Sequence, residues 1–80
     1  MTINDAVANR TIRLLKEKGI TQYRLEQNSG IKHGAMDRIL GGQNKTVTMT
    51  TVYKLARGFD MSFFEFINDE VFYSEELEID

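Results

Sequence analysis

One glycine, Gly30, constrains this chain more than any other residue. Ahead of it, Thr21 is a start signal for a short helix whose inward positions are Leu25 and Ser29. Gly30 ends that helix, because glycine takes the left-handed closing conformation without a Cβ penalty. Ile31 follows as an apolar anchor, and a second short helix runs to Gly41 and Gly42. Two short helices meeting at a steep angle about such a turn form a helix-turn-helix corner.

Apolar spacing predicts three more helices around that corner. Asn4 or Asp5 caps the first, which runs through Lys18 with Val7, Thr11, Leu14 and Leu15 on one face. Lys16 and Lys18 suit the dipole at its end, and Gly19 stops it. The corner helices cover about 22–29 and 33–41, and residues 42–47 form a polar loop. Thr48 caps a fourth helix with Met49, Val52, Leu55, Ala56 and Phe59 at helical spacing. Ser62 and Glu65 fit a capping box opening a fifth helix to about Asp69, burying Phe63, Phe66 and Ile67. After Asn68 the pattern weakens: Val71, Phe72, Leu77 and Ile79 make one more helical turn or an extended arm. Hairpin turns and strict alternation are lacking, so the expected fold is all-α, with a domain over 1–69 and a tail over 70–80.

Eighty residues suffice for one domain. A domain of this size buries only about 60% of its unfolded surface, so the core is modest. A hydrophobic content of 41% fits a globule, and the lack of cysteine rules out disulfides and thiol chemistry. There is no basic-then-apolar leader, and no apolar run approaches the roughly 18 residues of a membrane span. The expected setting is cytoplasmic, with no membrane partner. Formal charge is −2, but it divides unevenly. Residues 1–60 hold ten bases and five acids, whereas residues 61–80 hold seven acids and no base. Local field, not net charge, governs approach to phosphates.

The ordered set Gln22-x-x-Leu25, Gly30-Ile31, Ile39-x-x-Gly42, Tyr53-Lys54-Leu55-Ala56 and Ser62-x-x-Glu65-Phe66 resembles the Cro/phage-repressor type helix-turn-helix family over residues 5–67. The resemblance implies a compact five-helix, lambda-repressor-like domain that binds operator DNA, usually as a homodimer. The second corner helix of such a unit sits in the major groove.

On the third helix Ala35, Met36, Ile39 and Leu40 share an inward face, leaving His33, Gly34, Asp37, Arg38 and Gly41 outward. The resemblance carries base reading onto His33, Gly34, Asp37 and Arg38. Arg38 is the strongest of these, since a guanidinium can grip guanine O6 and N7 with two bonds. Asp37 either accepts from a cytosine amine or pairs with a neighbouring base. Phosphate contact falls to Gln22 at the start of the second helix, where free amides favour an anion, and to Lys32, Gln43, Asn44 and Lys45. Tyr23 lies on the sugar-phosphate edge or covers the core rim. Arg10 and Arg13, read as the outer face of the first helix, are weaker candidates.

Three departures from the family pattern bear on that surface. Glu26 stands where a small residue is usual, at a tight helix crossing, and needs a partner or solvent. Lys32 cannot cap the third helix. Gly34 costs that helix about 1 kcal/mol relative to alanine. His33 lacks the companions of a metal site or a catalytic centre, so no cofactor, no small-molecule substrate and no enzyme activity are expected. The function expected is a sequence-specific transcriptional regulator. The alternatives are an antitoxin of a toxin–antitoxin pair, or a protein-interaction module that keeps the fold without DNA binding. A basic stripe joining Gln22, Lys32, Arg38 and Lys45 separates DNA binding from the adaptor. The tail's apolar side chains are expected to join two subunits.

Overall fold

Thr2, rather than Asn4 or Asp5, starts the first helix. Its hydroxyl accepts from the Asp5 amide and Asp5 returns a bond to the Thr2 amide, each at 3.0 Å. Asp5 is thus the far half of a capping box rather than the cap, and its carboxyl is held below the ordinary range chiefly by these bonds. The computed structural model describes residues 1–43, 47–74 and 77. The helices are α1 (Ile3–Lys18), α2 (Gln22–Ser29), α3 (His33–Leu40), α4 (Met49–Gly58) and α5 (Phe63–Ile67), followed by a 3-10 turn, Glu70–Phe72. No strand occurs among the described residues.

Thr21, Thr48 and Ser62 cap α2, α4 and α5 as the sequence predicts. Gly30 adopts φ 76° and its amide closes α2 on the Glu26 carbonyl at 2.9 Å. Any Cβ-bearing residue would be strained there. α1 packs on α3, α2 on α3 and α4, and α4 on α5. Leu25, Met36, Leu55 and Phe66 are fully enclosed at the centre. Where α2 crosses α4, Gly58 supplies the room. A Cβ at Gly58 would lie 2.7 Å from Leu25 Cδ1 and 3.0 Å from Ser29 Cβ.

Two expectations fail in the packing. Met49, assigned to the inward face of α4, is 75% exposed: it is the first residue of the helix, and the buried row begins at Val52. Arg10, assigned to the outer face of α1, is buried. Val7, Arg10, Thr11 and Leu14 share one face, and Arg10 reaches from it to the end of α5. Its Nε donates to the Phe66 carbonyl at 2.9 Å, Nη2 to the Glu65 carbonyl at 3.0 Å and Nη1 to Asp69 at 3.3 Å. Arg13 also binds Asp69. That bond, aided by the Val71 amide and by the charges of both arginines, holds the Asp69 carboxyl below the ordinary range. The two α1 arginines therefore serve the fold.

The fifth helix stops at Ile67, short of Asp69, and the chain turns back. Glu70–Phe72 packs on α1, with the Phe72 ring 6.3 Å from that of Phe66. Of the open choices for this segment, a helical turn is what forms, and Phe72 is taken up within its own chain. Ile79 lies outside the described residues.

Candidate nucleic-acid interface

α3 owes its exposure pattern to its position across α1 and α2. Met36 and Ile39 are buried and Ala35 and Leu40 half-buried, while His33, Gly34, Asp37, Arg38 and Gly41 face solvent. Lys32 makes no side-chain cap bond, so the first amides of α3 are left open at the corner. Arg38 lies back along the helix: a Cβ on Gly34 would be 3.9 Å from its Nη1. That is ordinary contact, so the guanidinium's place over the first turn does not depend on the glycine.

A hydrogen-bonded network fastens α3 to α2 from the side. Gln22 Nε2 donates to Glu26 Oε2 at 2.9 Å and to Asp37 Oδ1 at 2.7 Å. His33 Nδ1 stands 2.8 Å from Glu26 Oε2, and its Nε2 stands 3.2 Å from Asp37 Oδ2. Both ring nitrogens thus meet carboxylates, an arrangement that favours the imidazolium. The bond to Glu26, then the charge of Asp37, raises the His33 pKa above its ordinary value. Gln22 first and His33 second lower that of Glu26. Glu26, with only 11% of its side chain exposed, has the partner that its position demanded. The tight crossing lies elsewhere, at Gly58.

The remaining residues fall on either side of this network. Tyr23 is 67% exposed, so it does not cover the core rim, and its hydroxyl accepts from Gln27 Nε2 at 2.9 Å. Lys32, Arg38 and Gln43 are exposed. Asn44 and Lys45 lie outside the described residues. The stripe expected through Gln22 is interrupted, because its amide is held by two carboxylates. Cations gather instead on the opposite flank of α3, where Lys32 and Arg38 face Lys54 of α4 across a cleft. Lys54 escaped the sequence reading. The helical wheel shows it outward, but nothing in the sequence says which neighbour an outward α4 residue meets.

Among the described residues no group of three or more His, Cys, Asp or Glu side chains is placed to hold a metal ion. No helix among them is long and apolar enough to cross a membrane. The family model of the Cro/C1-type HTH DNA-binding domain matches residues 12–70. No curated protein and no solved structure matches the chain.

Proposed function

The chain belongs to the Cro/C1-type HTH DNA-binding domain family, and from that membership we propose that it is a transcriptional regulator whose α3 reads the major groove. The observation that carries this reading is the outward face of α3. His33, Gly34, Asp37 and Arg38 stand free of the core on a helix propped by α2, the arrangement in which a reading helix projects into a groove. Arg38 reads a base edge, and Lys32, Gln43, Asn44 and Lys45 hold phosphates. Gln22 reaches a phosphate only by giving up a bond to Glu26 or Asp37. The binding unit is 1–69, acting as a homodimer on paired half-sites, with Met49, Tyr53 and Phe64 as exposed apolar surface for the second copy.

Duplex titrations across salt test this. If a dimer neutralises about six phosphates, log affinity against log salt is expected to slope by about −5. Stoichiometry should be two chains per paired site. The interruption beside Gln22 favours one rival reading, a protein-interaction module. Failure to bind any member of a random duplex pool at low salt would select it.

Protons are expected to matter as well. His33 sits between Glu26 and Asp37, the charged groups that face it. Its loss of charge leaves two carboxylates turned toward the phosphates. Its pKa is raised, so the favourable charge is present at low pH and lost as pH rises through that value. Glu26, with a lowered pKa, stays ionised throughout. Duplex affinity should therefore fall as pH rises through the raised His33 value, and His33→Gln should flatten the profile. The same pH dependence in both proteins would remove His33 from the interface.

A further inference from the structure

The cleft between α3 and α4 contains three cationic side chains that no carboxylate among the described residues neutralises. Lys32 and Arg38 wall it on the α3 side and Lys54 on the α4 side, around a volume of about 360 Å³. No acidic residue lines it, and none of the three cations pairs with a carboxylate among the described residues. Ile31, Ile39 and Thr51 line it beside them. The contrast with the other flank of α3 is sharp. There every charged group has a partner within the Gln22–Glu26–His33–Asp37 network. Three like charges around one opening repel one another. An anion between them relieves that repulsion.

We propose that this cleft is a phosphate-binding site in which Lys54 of α4, with Lys32, holds one backbone phosphate of the duplex that α3 reads. The proposal rests on the reading of α3 given above. Arg38 links the two places: its guanidinium lies over Gly34 on the outward face, and the same side chain walls the cleft. The cleft therefore opens at the border of the reading surface. A duplex lying against that surface presents phosphates along the rim of its groove, where such contacts fix register without reading sequence. The site makes α4 a second docking element and assigns the backbone grip to the flank of α3 opposite Gln22.

Fluorescence anisotropy with labelled duplexes across a salt series tests the site, using the intact chain, Lys54→Ala and Lys16→Ala. Lys54 and Lys16 are both exposed, so neither change disturbs packing, and circular dichroism checks this. Lys16, on α1 outside the cleft, controls for simple loss of one charge. Lys54→Ala is expected to make the salt slope shallower by about 0.9 per bound chain, about 1.8 for a dimer on a paired site, and to weaken cognate and scrambled duplexes by the same factor. Lys16→Ala should leave the slope in place. An unchanged slope in Lys54→Ala, with steep binding by the intact chain, overturns the cleft and spares the reading of α3. Equal losses in the two variants also overturn it, as a general field effect, and a loss confined to one sequence does so as base contact. If the intact chain binds no duplex, the reading of α3 fails and the cleft fails with it.

Discussion

Replacing Arg10 with alanine is expected to remove about 3 kcal/mol of folding stability, at the low end for deleting one partner of a buried ion pair. An 80-residue domain has about 4–12 kcal/mol in all, so the loss is a large share. The reason is the number of groups abandoned. Arg10 is 8% exposed and satisfies the Phe66 and Glu65 carbonyls, which end a five-residue helix with few bonds of its own. Its guanidinium also lies 5.8 Å from the centre of the Phe66 ring. Alanine leaves those carbonyls without donors and removes one of the two arginines on Asp69, so the end of α5 and the turn behind it loosen together. Arg10→Lys should recover only part, because an ammonium is a point donor and cannot span three acceptors in one plane. Urea unfolding followed by circular dichroism gives the comparison. A midpoint for Arg10→Ala indistinguishable from that of the intact chain would mean that the tether contributes nothing.

Arg38→Ala is expected to weaken operator binding by about 1–3 kcal/mol, roughly 5- to 150-fold, and to relax preference at one base position. Arg38 is the one lysine or arginine on the outward face of α3 and has no carboxylate partner among the described residues. Its guanidinium is therefore available without an internal bond being broken first, unlike Gln22 and Asp37. Selection of binding sites from random duplexes by both proteins, with affinities for the winners, separates lost grip from lost reading. Unchanged affinity together with unchanged base preference would show that the reading face lies elsewhere.

Much of this architecture is legible in the sequence because it depends on local chemistry. Thr21, Thr48 and Ser62 announce their helices through hydroxyls that satisfy amides three residues on. Gly30 announces the corner through its backbone freedom. The outward set on α3 follows from steps of three and four residues. What stays hidden depends on partners distant in the chain. The spacing Val7, Arg10, Thr11, Leu14 does place Arg10 on the inward row, yet a charged side chain there reads as an error until Phe66 and Asp69 arrive to receive it. The same holds for Glu26: its proximity to His33 requires the corner to be folded. Lys54 needs more still, since only the packing of the helices puts it opposite Lys32 and Arg38. Met49 fails for a different reason: periodicity finds the face but not where the core ends along it.

The passage of α2 over Gly58 has a consequence for what the corner tolerates. Clearance between two helices is a joint property, and either side can supply it. Here α4 gives up its side chain entirely, so α2 keeps Leu25 and Ser29 at the contact. The next residue along α2 need not be small, and Glu26 points its carboxylate toward α3 instead of into the crossing. Size at one position is thereby exchanged for charge at another. A bulky residue at 58 would push α2 outward and take with it the lateral fastening of α3, altering the pitch of a helix that position 58 never touches.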